Sequence, residues 1–211
     1  MTGKLIVFEG VEGAGKTTQM SLLFEWLQEQ LASSNRKVIT TREPGGTELG
    51  KAVRSLLLEP ELSEAIAPQA ELLLYAADRA QHVETFIKPQ LEEGNIVLCD
   101  RFTDSTIAYQ GYGRGLSLEL INQLNYIATG GLESDLTLWL ELDVEVGLAR
   151  TKVRGKSDRM ERAAIDFHRR VRLGFQELAE THRDRIRRVD GSGSVEEVQG
   201  QIREIVRAFL V

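Results

Sequence analysis

One cysteine and four prolines are spread through 211 residues, and each scarcity removes a class of protein. A lone thiol, Cys99, cannot build an internal disulfide framework; inside the apolar run I-V-L-C it reads as a small core residue. So few prolines leave no proline-rich linker, and no repeat or low-complexity tract divides residues 1–211, which read as one domain. No run approaches the ~20 apolar residues of a membrane span and the N-terminus lacks a secretory apolar segment, so a cytoplasmic protein is expected. Positive charge is also short. With 26 Lys and Arg against 32 Asp and Glu, the formal net charge of −6 argues against a general nucleic-acid binder. Any phosphate chemistry must draw on locally clustered cations, which makes individual arginines informative. The three histidines, His82, His168 and His182, lack metal-ligand spacing and are expected on solvated helix positions.

What is present is concentrated first in residues 4 to 18, K-L-I-V-F-E-G-V-E-G-A-G-K-T-T. Leu5 to Phe8 has the length and branching of a buried strand, broken at Gly10 by a loop that runs through Val11, Glu12, Gly13 and Ala14 to Gly15. A helix begins at Lys16. The spacing fits G-x-x-x-x-G-K-[ST], the phosphate-binding loop, in its required strand-to-helix context. Glycines let backbone N–H groups turn inward around phosphate oxygens, and the helix start adds its positive dipole end. Lys16 should reach the β- and γ-phosphates of a nucleoside triphosphate, and the Thr17 hydroxyl should bind Mg2+.

The remaining chain alternates helices and short strands. Helices are predicted over residues 16 to 32, 48 to 58, 69 to 93 with a kink before Pro89, 118 to 128, 144 to 153, 161 to 183 and 195 to 209. Strands are predicted near residues 5 to 8, 37 to 41, 96 to 99, 136 to 142 and 185 to 189, and residues 103 to 115 as a short helix followed by a mobile loop. This is an α/β pattern: a five-stranded parallel sheet with helices on both faces and ligands at the carboxyl ends of the strands. No N-K-x-D sequence is present and no D-x-x-G follows Thr17 at switch-like spacing, which disfavours a GTPase. A small kinase with a mobile cover fits better.

F-E-G-V-E-G-A-G-K-T-T, T-R-E-P-G-G-T, Y-A-A-D-R, D-R-F-T-D-S-T-I-A-Y-Q-G and the R-x-x-x-R-G-x-x-D-R-x-E pattern from Arg150 to Glu161 occur in that order. Together they resemble the thymidylate kinases. The resemblance implies a phosphate-loop nucleoside monophosphate kinase fold, ATP-dependent conversion of dTMP to dTDP with Mg2+, and a homodimer. It also implies an acceptor-binding segment near residues 42–80 and a lid near residues 150–160. Alternatives are another nucleoside monophosphate or deoxynucleoside kinase of this fold, or a regulatory nucleotide switch with slow ATPase activity.

Residue by residue, the resemblance assigns the acceptor phosphate to Arg101, after a strand end, with Arg42 assisting. Asp100 is either a partner of Mg2+ or an orienter of Arg101. Some relatives carry an arginine inside the phosphate loop where this chain has Gly13; here the resemblance moves that role to the lid, to Arg154 first and Arg150 next. Tyr75 and Arg79, four residues apart and so on one helix face, are expected to stack on thymine and to donate to its O4. Ser105 and Thr106 match positions near the base, Thr106 toward ring N3, with Gln110 nearby. Tyr109 matches a residue that crowds the sugar 2′ position, and Glu12 one that meets the 3′ hydroxyl. Asp158 and Glu161 fit the sugar, Mg2+ or a helix start equally. Glu9 is read as structural, and Asp190-Gly191-Ser192 as a loop touching adenine through its backbone.

Overall fold

A computed structural model describes residues 3–58, 64–153, 159–160 and 163–210. Five strands, β1 (Lys4–Glu9), β2 (Val38–Arg42), β3 (Ile96–Asp100), β4 (Leu136–Glu141) and β5 (Ile186–Asp190), form one sheet in the order β2-β3-β1-β4-β5. Every pairing is parallel, with Val7 beside Cys99 and Glu9 beside Trp139. Parallel neighbours need crossovers, which helices supply: α1 (Lys16–Gln30), α2 (Glu48–Leu58), α3 (Pro68–His82), α4 (Lys88–Glu92), α5 (Thr103–Thr106), α6 (Leu118–Thr129), α7 (Val144–Val153), α8 (Ile165–Thr181) and α9 (Val195–Leu210).

Alternation along the strands divides the core. Ile6 and Phe8 join a large cluster with Leu23 and Leu27 of α1, Phe175 of α8 and Ile202 of α9. Leu5 and Val7 point the opposite way, toward Val83, Ile87 and Phe102. Both strand faces are apolar because both are covered. Cys99 lies fully buried in the second cluster, as a small core residue should.

Two segments depart from the sequence reading. The helix expected over residues 69 to 93 is α3 and α4 joined by a π-helical turn, Val83–Ile87, ahead of Pro89. Proline has no N–H and crowds the preceding turn, and a widened turn relieves both. The mobile loop expected after residue 106 is a π-helix instead, Ile107–Gly113, continuous with α5 and packed on α8. Its glycines serve close packing: a Cβ on Gly113 would fall 2.6 Å from the Phe167 ring. Two histidines also move inside. His82 and His168 are 0% and 1% exposed, so only His182 keeps the expected solvated position.

Candidate active site

The carboxyl ends of β1, β2 and β3 open into one cavity of about 690 Å3, lined by Glu12 to Gln19, Arg42, Tyr75, Arg79, Asp100, Arg101, Ser105, Thr106, Tyr109, Gln110 and Arg150. Strand ends are tied together there. Glu43 N donates to the Asp100 carbonyl at 2.9 Å and Arg101 N to the Phe8 carbonyl at 3.0 Å.

The loop from Gly10 to Gly15 leads from β1 into α1, and Gly15 caps the helix with φ 91, a left-handed conformation that glycine adopts without strain. Lys16 folds back over the loop. Its ammonium donates to the Gly10 and Val11 carbonyls, each at 3.0 Å, and burial followed by the Arg101 charge pushes its pKa down. Thr17 Oγ1 lies 3.4 Å from Asp100 Oδ2, while Asp100 Oδ1 is buried without a partner among the described residues. A hydroxyl beside an unsatisfied carboxylate suits a hard cation with oxygen ligands, so these residues fit Mg2+.

Arg101 stands at the centre. It is the only non-glycine residue with positive φ among the described residues, at 71°. Nη1 donates to the Gly10 carbonyl at 3.1 Å and to Ser105 Oγ at 3.0 Å; Nη2 donates to Glu12 at 2.6 Å and to the Tyr109 hydroxyl at 2.9 Å. The guanidinium also lies 4.8 Å from the Tyr109 ring centre. Burial opposes its charge, but Glu12 and neighbouring groups hold it firmly protonated. Glu12 answers in kind: against the upward push of burial, Arg101 and Lys16 hold its carboxyl down to about 2.

One wall of the cavity is built on α3 and the segment after β3. Arg79 is a buried cation, 1% exposed. It donates from Nε to Glu43 at 2.8 Å, from Nη1 to Thr106 at 2.7 Å and Asn125 at 2.8 Å, and from Nη2 to the Phe102 carbonyl at 2.9 Å. A guanidinium has five N–H groups, so one on Nη2 is left over. Tyr75 lines the same cavity one helical turn earlier, and burial together with the Glu71 charge pushes its phenol pKa up. Gln110 donates from its amide nitrogen to Glu71 at 2.8 Å, leaving its carbonyl oxygen for other donors. Ser105 is engaged differently from expectation: its hydroxyl donates to Glu9 at 2.6 Å and accepts from Arg101. Arg42 lines the cavity with an exposed side chain. Arg150, on α7, reaches the Gly13 carbonyl at 3.5 Å. Arg154, Asp158 and Glu161 lie outside the described residues.

Several supporting carboxylates were illegible beforehand. Glu71, fully buried, gathers Gln110, Arg114 and Arg159, the last at 2.5 Å. Its place four residues before Tyr75, on the same helix face, was the available signal. Arg159 also donates to the Leu57 carbonyl at 2.7 Å, so this arginine of the expected cationic stretch is engaged in holding elements together. Glu43 had only its position inside R-E-P-G-G to suggest it. On the far side, Gly191, Gly193 and Val195 close the cavity near the phosphate loop, with the Ser192 hydroxyl and N–H both bonded to Asp190.

Comparison with known proteins places this geometry. The family model described as thymidylate kinase matches residues 8–202. A thymidylate kinase of Trichodesmium erythraeum is 62% identical over 221 residues, covering 100% of this chain and 98% of that protein. One of Nostoc punctiforme is 61% identical over 211 residues, with the same coverage of 100% and 98%. The crystal structure of thymidylate kinase from Ehrlichia chaffeensis superposes with a TM-score of 0.78 at 36% identity, covering 98% of this chain and 99% of that one. A phosphate loop facing a strand-end arginine, in a five-stranded parallel sheet matched along nearly its whole length, makes this chain a member of the thymidylate kinase family.

Proposed function

We infer that the site transfers the γ-phosphoryl group of ATP to the phosphate of dTMP, giving dTDP for dTTP synthesis. The observation that carries this reading is the meeting of the phosphate loop, Arg101 and the Tyr75–Arg79–Gln110 group in one cavity. The acceptor is a phosphate monoester whose second pKa is about 6, so it arrives as a nucleophilic dianion and needs no general base. What remains for the chain is to hold two anions in line and offset their charge.

Residues 10–17 cradle the ATP phosphates, with Lys16 swinging from the loop carbonyls to the β- and γ-oxygens. Mg2+ held by Thr17 and Asp100 supplies further charge neutralisation when bound. Arg101 grips the acceptor phosphate with Arg42 beside it. Tyr75 stacks on thymine, and the remaining Nη2–H of Arg79 donates to O4, where cytosine carries an amino donor. Thymine N3–H is also a donor, and because the Gln110 amide nitrogen is spent on Glu71 its carbonyl oxygen is free to accept, which favours Gln110 over Thr106 for that contact. Tyr109 closes against the sugar 2′ position, while Glu12 takes the 3′ hydroxyl. Residues 42–80 act as the acceptor segment and 150–160 as a lid, with Arg154 and Arg150 reaching the transferred group.

The protein works as a cytoplasmic homodimer in this reading. Among the described residues, no helix is long and apolar enough to cross a membrane. Leu49 and Leu56 on α2, Leu73 on α3, and Leu120 and Ile127 on α6 are all exposed, Ile127 by 73%. Both seven-residue spacings keep their side chains on one helix face, and a second copy covering them suits exposed leucine and isoleucine.

A coupled assay of ADP release across dTMP, dCMP, UMP and thymidine tests the activity. dTMP should be favoured by at least tenfold in kcat/KM. ADP release indifferent to every acceptor would instead identify a nucleotide switch.

A further inference from the structure

We propose that His82 is a positioning residue for base recognition, acting through Glu43 on the guanidinium of Arg79. This rests on the reading that Arg79 donates to the base. Four side chains form the chain of contacts, and all are buried: Thr41 9%, His82 0%, Glu43 3% and Arg79 1% exposed. His82 Nδ1 lies 2.9 Å from Glu43 Oε1, and Arg79 Nε lies 2.8 Å from Glu43 Oε2. The carboxylate therefore bridges ring and guanidinium, one oxygen to each. Its other side is fixed too, since His82 Nε2 is 2.7 Å from Thr41 Oγ1 at the end of β2.

Donor and acceptor roles follow from the partners. An ionised carboxylate only accepts, so Nδ1 carries a proton toward Glu43; in the neutral ring Nε2 then accepts from the Thr41 hydroxyl. The ring itself is clamped. Phe86 stacks on it at 5.6 Å between centres, and the backbone of Gly46 comes so close that a Cβ there would fall 2.4 Å from Nε2. The loop after β2 thus makes room for an imidazole at this point of α3.

Glu43 holds the Nε edge of Arg79, and the other bonds of Arg79 all lie on the two Nη atoms. Removing the Nδ1 donor leaves one buried carboxylate oxygen unpaired, and the carboxylate then turns toward other donors. The planar guanidinium follows it, and the single Nη2–H available to a base edge loses its direction. Phosphate binding and transfer are made by other residues, so they should be insensitive.

The experiment compares His82→Leu, His82→Asn and Arg79→Gln by kcat and KM for dTMP and dCMP, with ATP KM and thermal midpoint alongside. His82→Leu should raise dTMP KM and lower the dTMP-to-dCMP ratio of kcat/KM by about tenfold, with ATP KM changed less than about twofold. His82→Asn, which keeps an N–H near the Nδ1 position, should restore most of that ratio. If Arg79→Gln leaves the ratio intact, the base-reading role of Arg79 fails. If Arg79→Gln collapses it while His82→Leu does not, or if His82→Asn loses as much as His82→Leu, the positioning role is overturned. Should His82→Leu fail to fold, His82→Gln replaces it, since its amide reaches the Thr41 end instead; an unchanged ratio there overturns the proposal equally.

Discussion

Glu12 and Arg101 are joined at 2.6 Å, which ties the phosphate loop to the arginine at the end of β3. Tyr109 completes the triangle, donating to Glu12 at 3.0 Å while accepting from Arg101. A carboxylate held down to about 2 stays ionised at every working pH, so it is a fixed acceptor beside the cavity. A fixed acceptor suits a sugar hydroxyl. In Glu12→Ala the preference for dTMP over its 3′-deoxy analogue should fall by at least tenfold in kcat/KM, because a site built to bond a hydroxyl discriminates against its absence. An unaltered preference would remove Glu12 from sugar recognition.

Glu9 governs the backbone on the other side of the same arginine. It is fully buried and accepts from Phe102 N at 2.9 Å, Ser105 N at 3.0 Å and Ser105 Oγ at 2.6 Å, which holds the turn where Arg101 has φ 71. Burial raises its carboxyl from 4.5 to about 7, with Arg101 pulling down and Asp104 pushing up. A folded-state pKa above the unfolded one means that the native protein binds the extra proton. The resulting stabilisation is fully present below about pH 4.5 and is lost as pH rises through about 7, by roughly 3 kcal/mol. Glu9→Gln should therefore flatten the decline in thermal midpoint between about pH 5 and about pH 8. Equal slopes in wild type and variant would contradict the role of this carboxyl.

How much of this was legible depended on whether a feature is local. The phosphate loop is one continuous stretch with a fixed spacing, and β1 and α1 around it followed directly. Arg101 and Arg42 could be placed at strand ends because the apolar runs stop there, while their role came only from the family resemblance. The π-helical segments were not legible, since hydrophobic period reports which face is buried and says little about whether the ladder closes at the fourth or fifth residue. The glycines of Y-Q-G-Y-G look like a flexible loop until Phe167 and Tyr112 are seen against the close-packed helices. Glu43, Glu71 and His82 were missed for a further reason. Their partners lie dozens of residues away, Glu71 to Arg159 spanning 88 positions, and a polar residue on a helix face is ordinarily solvated.

Asp100 carries a prediction about Mg2+. One of its oxygens faces Thr17 at 3.4 Å and the other is buried without a partner among the described residues, an arrangement that costs free energy unless a cation or its bound water satisfies it. Asp100→Asn removes the charge while keeping the shape. The Mg2+ concentration for half-maximal rate should rise by about tenfold, with dTMP KM changed much less. Loss of dTMP affinity at unchanged Mg2+ dependence would assign Asp100 to the orientation of Arg101 instead.

Gly13 and Gly147 bear on why this point of the phosphate loop carries no side chain. A Cβ on Gly13 would fall 2.1 Å from the Gly147 carbonyl oxygen, and a Cβ on Gly147 would fall 2.3 Å from the Glu12 carbonyl oxygen. Loop and α7 meet backbone against backbone, and at Gly13 a side chain is further disfavoured by φ 74. Neither contact can yield as a flexible side chain would. Gly147→Ala must push α7 away from the loop, and with it Arg150, one turn along the same helix. ATP KM should then rise by about tenfold. If instead Gly147→Ala leaves ATP KM as it was, α7 is only packed against the loop and has no part in shaping it.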